Sequence, residues 1–119
     1  METLQKERLT AAGIDVDGAL ERFMGNDALL ERFLKKFLAD GNYAALSAAV
    51  AAGDAAAALT ASHTLKGVCG NLSMPELFRL LTCQVEALRA GDWARAESLM
   101  PEIDRAYGTV TRAIGEDAG

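Results

Sequence analysis

The chain has 119 residues and a mass of 12.6 kDa, enough for one domain with a core and too little for two. Half the residues are hydrophobic and 6% aromatic, with 23 alanines and 16 leucines, which excludes a disordered chain and favours small-residue helix packing over a β-sandwich. A formal net charge of −5 argues against nucleic-acid phosphates or an anionic membrane surface as the main partner.

The opening METLQKERLTAAG is polar, without the apolar stretch of a signal peptide, and reads as a flexible segment over 1–13 ending at Gly13. Asp15 precedes a short amphipathic helix carrying Leu20, Phe23 and Met24, which stops at Gly25. Asn26 caps a longer helix in which Leu29, Leu30, Phe33, Leu34, Phe37 and Leu38 follow the i, i+3, i+4, i+7 spacing of a buried stripe. Gly41-Asn42 interrupts this helix, and Leu46 and Val50 resume its pattern, so it is kinked or briefly broken there. Lys35 and Lys36 fall on its solvated side.

Two joints, Ala52-Gly53-Asp54 and Ala90-Gly91-Asp92, each offer a glycine for the left-handed position after one helix and an aspartate to cap the next. Between them, Ser73-Met74-Pro75-Glu76 has the form of a capping box, with Pro75 in the first turn. Pro101 should kink the last helix, and Trp93 anchors its start. The predicted helices are 15–24, 26–52, 54–72, 74–90 and 92–114. Tight joints make the long ones an all-α antiparallel four-helix bundle over 14–114, with a short extra N-terminal helix and a flexible tail at 115–119. No run reaches the roughly 18 apolar residues of a membrane span. Cys69 and Cys83 lie in helix-patterned apolar sequence and read as reduced core thiols, which points to the cytoplasm. The core is large enough for a stable monomer.

The chemical inventory is small. There is one histidine and no Glu-x-x-His pair, nucleophile elbow or phosphate-binding glycine loop, so neither a metal site nor any cofactor of the protein's own is expected. His63 lies mid-helix in SHTLKGVCGNL. Ala58, Ser62, Leu65, Cys69 and Leu72 form the stripe that faces the core, and His63 lies roughly 130° from its centre. Its own face holds Ala56, Thr60, Gly67 and Gly70, all small. Each mid-helix glycine costs about 1 kcal/mol relative to alanine, which calls for a reason, and bare backbone beside His63 lets a partner approach closely. Lys66, three residues on, suits a negatively charged phosphoimidazole better than a general base, whose protonation it would oppose. Lone histidines on helix surfaces are usually inert, and glycines also serve helix packing, so these features alone do not settle the role.

The segment His63-Thr64-Leu65-Lys66-Gly67-Val68-Cys69-Gly70-Asn71-Leu72 resembles the His-x-Leu-Lys-Gly signature of histidine-containing phosphotransfer (HPt) domains of two-component phosphorelays. Gly13-Ile14-Asp15 with Ala19, Leu20 and Phe23 is similar to that family's opening helix, and Gly91-Asp92-Trp93 to its last joint, so the likeness covers about 13–114. It implies that His63 accepts a phosphoryl group, by family precedent on Nε2, from a kinase or a receiver-domain aspartate, and hands it to another receiver. Lys66 would neutralise the phosphoryl oxygens and Gly67 leave room for the receiver, with Gly70 in support. Mg²⁺ would be held by the receiver, and the protein would be a carrier, not an enzyme with its own ATP site. Exposed neighbours Thr60, Thr64, Val68, Asn71 and Met74 are the candidate partner-binding residues, although Val68 and Met74 suit a core equally. Family members often place Gln or Glu on the next helix against the histidine. The matching position here is Val85, so either Gln84 substitutes through a small helix rotation or the contact is absent; phosphohistidine decay in Gln84→Ala distinguishes them.

Met1 and the ending GEDAG favour a free-standing chain. Three other readings remain at this point: the phosphoacceptor domain of a chemotaxis-type kinase, a helical adaptor that binds receivers without phosphoryl transfer, and a cofactor-binding bundle.

Overall fold

A computed structural model describes residues 1–118, with side chains through residue 116. Among the described residues there are eight helices and no strand: α1 (Thr3–Ala11), α2 (Val16–Arg22), α3 (Asp27–Leu38), α4 (Asn42–Ala51), α5 (Ala55–Asn71), α6 (Pro75–Arg89), α7 (Trp93–Ser98) and α8 (Met100–Ala118). Four rods make the predicted bundle: α3–α4, α5, α6 and α7–α8, each packed on the next, with α3 closing against α8. The register is antiparallel. Along α5 from Ser62 to Gly70 the partners on α6 run backwards, from Gln84 to Phe78. Likewise Phe37 meets Tyr107, whereas Tyr43, further along its rod, bonds to Asp104 further back.

The joints follow the sequence chemistry. Gly53 and Gly91 adopt φ +69° and +75°, and Asp54 and Asp92 accept from the amides of Ala57 and Arg95 at 3.1 Å. Asn26 caps α3 through the Leu29 amide. The break between α3 and α4 is fastened by Asp40, whose Oδ1 accepts from the backbone and side-chain nitrogens of Asn42 at 2.9 and 2.8 Å. The core runs the length of the bundle through Leu30, Leu34, Phe37, Leu46, Leu65, Leu81 and Ile103. Fully burying each such side chain contributes about 1.5–3 kcal/mol.

Three expectations change, and one is refined. The segment expected to be flexible over 1–13 forms α1: Leu9 is buried, and Lys6–Asp17 (2.6 Å) and Arg8–Glu116 (3.6 Å) tie it to α2 and α8. The expected loose tail at 115–119 continues α8 as far as Ala118, while its last residue lies outside the described residues. Ser73 is not an N-cap. It takes φ +55° after α5, Met74 occupies the cap position without a side-chain bond, and Glu76 pairs with Arg79 at 2.7 Å instead. The kink expected at Pro101 is a one-residue interruption of the rod: α7 stops at Ser98, Leu99 stays in the right-handed helical region, and α8 restarts at Met100 with Pro101 in its first turn. A proline nitrogen cannot bond back to the carbonyl four residues earlier, so the rod breaks there.

Candidate functional site

Helix α5 separates its residues by face. Ala58, Ser62, Leu65, Cys69 and the cap residue Leu72 are buried, which places the predicted core stripe inward. His63 therefore stands exposed, with Thr60, Thr64, Gly67 and Asn71 also exposed around it. The hydroxyls of Thr60 and Thr64 donate to the carbonyls of Ala56 and Thr60 one turn back, at 3.2 and 2.9 Å, so these side chains lie along their own helix. Lys66 is half-buried; its ammonium sits 5.9 Å from the centre of the Phe78 ring on α6.

The two glycines of the strip have different surroundings. A Cβ at Gly67 would meet nothing within 4 Å, so the notch one turn from His63 opens on solvent. A Cβ at Gly70 would lie 3.1 Å from Cε2 of Phe78, so this glycine makes room for a ring of the protein itself. Its carbonyl also accepts from the Arg22 guanidinium, which reaches over from the end of α2.

Two of the predicted site residues move away from His63. Gln84 is fully buried: its Oε1 accepts from Ser62 Oγ at 2.8 Å, and its Nε2 donates to the Ala96 carbonyl at 3.1 Å and approaches Met100 Sδ at 3.2 Å. All its bonding is directed into the bundle, so it does not reach the histidine. Val85, at the matching position, is buried as well. Met74 has no exposed surface and belongs to the core rather than to a docking face. Val68 is half-buried and packs on the core with one side. Cys69 is buried, and desolvation pushes its thiol up to about 12, which keeps it a neutral packing residue. Neither it nor Cys83 is in a disulfide.

Sequence reasoning missed the surroundings of Asn71. A groove of about 460 Å³ lies between α3 and α5, bounded by Arg22, Phe23, Phe33, Lys36, Val68 and Asn71. The rings of Phe23 and Phe33 lie 5.2 Å apart, and the Lys36 ammonium sits 5.1 Å from Phe33. Phe33, assigned to the buried stripe by spacing, is 40% exposed, and Leu38 is exposed too; α3 buries only Leu30, Leu34 and Phe37. A second groove of about 440 Å³ runs on the other side, past Gly67, Gly70 and Phe78. The signal in the sequence was width: six apolar positions on α3 make a stripe broader than one neighbouring rod can cover. Among the described residues, no group of three or more His, Cys, Asp or Glu is placed to hold a metal ion, and no helix is long and apolar enough to cross a membrane.

The Hpt domain family model matches residues 28–113, from α3 through most of α8. The chain belongs to the Hpt domain family. The match leaves out α1 and α2, so it begins later than the likeness seen from Gly13 onward. No curated protein and no solved structure gives a significant match to this chain. Membership gives this Hpt protein a phosphotransfer-related role in two-component signalling, with kinase or receiver partners, as a phosphocarrier module rather than a catalyst.

Proposed function

We propose that this Hpt protein is a cytoplasmic phosphorelay intermediate that carries a phosphoryl group on His63. The observation that carries the reading is the single exposed histidine inside the matched family span, beside a glycine notch that none of the described residues fills. The ring nitrogen Nε2 forms a P–N bond as the P–O bond of a receiver's aspartyl phosphate, or the P–N bond of a donor kinase's phosphohistidine, breaks and the aspartate carboxylate or the donor imidazole leaves. The reverse step hands the group to the next receiver. Lys66, three residues along the same face, offsets negative charge gathered at the phosphoryl oxygens. Gly67 leaves the partner's backbone free to approach, and Thr60, Thr64, Val68 and Asn71 border the contact. The chain contributes a nucleophile and a platform, and Mg²⁺ with most of the electrostatic stabilisation belongs to the receiver.

The test is phosphorylation by phosphoramidate, followed by intact mass. One phosphoryl group that is lost in acid, stable in base and absent in His63→Gln is the expected product. Uptake at an unchanged rate in His63→Gln would overturn the assignment.

A further inference from the structure

Lys66 stands three residues after His63 and four before Gly70, so on α5 it lies midway between the histidine and the place where Phe78 is seated. Three observations converge on that ring. Phe78 is 39% exposed, unlike the apolar residues Leu77, Leu80 and Leu81 around it on α6, which are buried. The ring lies close enough to α5 that a Cβ at Gly70 would come within 3.1 Å of Cε2 and 3.3 Å of Cδ2. The Lys66 ammonium is 5.9 Å from the ring centre, inside the range of a cation–π contact. Gly70 costs about 1 kcal/mol of helix stability relative to alanine, and what it makes possible is this seating.

We infer that Phe78 is a positioning residue for Lys66: its ring, held in the Gly70 notch, restrains the lysine so that the ammonium is ready at the His63 face. The inference rests on the reading of His63 as phosphoacceptor. A free lysine on an exposed helix samples many rotamers and loses that freedom each time it engages an anion. The ring fixes the side chain beforehand, so less entropy is lost when charge develops on the phosphoryl group. The role assigned to Phe78 is exerted through Lys66 alone.

A small donor isolates this role, because phosphoramidate has no surface to dock against Phe78. In the reaction the imidazole nitrogen forms the new P–N bond, the donor's P–N bond breaks, and ammonia leaves with a proton. The initial rate of uptake by the full chain is measured by intact mass for the wild type, Phe78→Leu, Phe78→Tyr, Lys66→Met and the double variant Phe78→Leu/Lys66→Met. Phe78→Leu should slow uptake about two- to fivefold, the size of an exposed cation–π contact, while Phe78→Tyr keeps the aromatic face and the wild-type rate. The double variant should be no slower than Lys66→Met alone. Phe78→Met serves as a second ring-free variant if Phe78→Leu melts early. Uptake in Phe78→Leu that equals or exceeds the wild-type rate overturns the inference, as does an equal slowing in the Lys66→Met background, which marks mere packing. A wild-type protein that takes up no phosphoryl group overturns the reading of His63 and this one with it; normal wild-type uptake with Phe78→Leu unchanged overturns this one alone.

Discussion

Ser62 and His63 are neighbours in the chain and opposites in environment. Ser62 is fully buried and bonded to Gln84, which in turn reaches the Ala96 carbonyl near the α7–α8 break, so each polar group has a partner inside the protein. His63, about 100° further round the helix, is exposed beside an empty notch. The buried seam joins three rods and contributes to stability; the exposed strip offers a nucleophile to something outside. Polarity by itself does not separate the two roles. What separates them is whether the fold already satisfies the group.

That contrast can be broken first at Gln84. Gln84→Ala leaves Ser62 and a backbone carbonyl without partners and opens a cavity, which should cost roughly 2–4 kcal/mol in denaturant unfolding. Phosphoryl uptake and phosphohistidine decay should stay at wild-type values, because the side chain points into the bundle; a clear change in decay would place Gln84 back at the histidine.

A pH series sharpens the buried side. Burial holds the Cys69 thiol near 12, above its ordinary value of 9.0, so its contribution to stability is complete below pH 9 and is lost as pH rises towards 12. The loss should reach about 1.4 kcal/mol per pH unit, and the stability gap between wild type and Cys69→Ala should narrow above pH 9. Tyr43 and Tyr107, also raised mainly by burial, act in the same direction in both proteins. A gap that stays constant to pH 11 would contradict a buried neutral thiol.

The glycine pair makes the finest comparison. Gly67→Ala should stabilise the protein by about 1 kcal/mol, since its new methyl meets nothing, while slowing transfer from a receiver. Gly70→Ala should gain less, because the Phe78 ring has to shift. Equal gains in thermal unfolding would mean that the ring is not seated against α5.

Much of this was legible in the residues. Gly53-Asp54 and Gly91-Asp92 state their geometry in two letters each, because few residues besides glycine take positive φ easily and aspartate is a good cap. The inward stripe of α5, and with it the exposure of His63, followed from helical spacing alone. The misreadings share a cause in tertiary context. The first helix has one buried side chain and is held by ion pairs to α2 and α8, partners that no local pattern reveals. The Ser73-x-x-Glu76 pattern was overridden when the backbone turned through Ser73, whose carbonyl accepts from the Asp15 amide at 2.7 Å. In the sequence Gln84 is a candidate substitute contact to the histidine, and only the Ala96 carbonyl before the Pro101 break shows why an amide is wanted inside. The reason for Gly70 lay on another helix.

The central claim is that His63 both receives and gives up the phosphoryl group. The direct test is to phosphorylate the purified protein, remove the donor, add a Mg²⁺-loaded receiver domain and follow both chains by intact mass. The account predicts that the group leaves this chain and appears on the receiver, and that a receiver lacking its acceptor aspartate takes none. Binding of the receiver without any movement of the group would contradict it, and would leave an adaptor in place of a carrier.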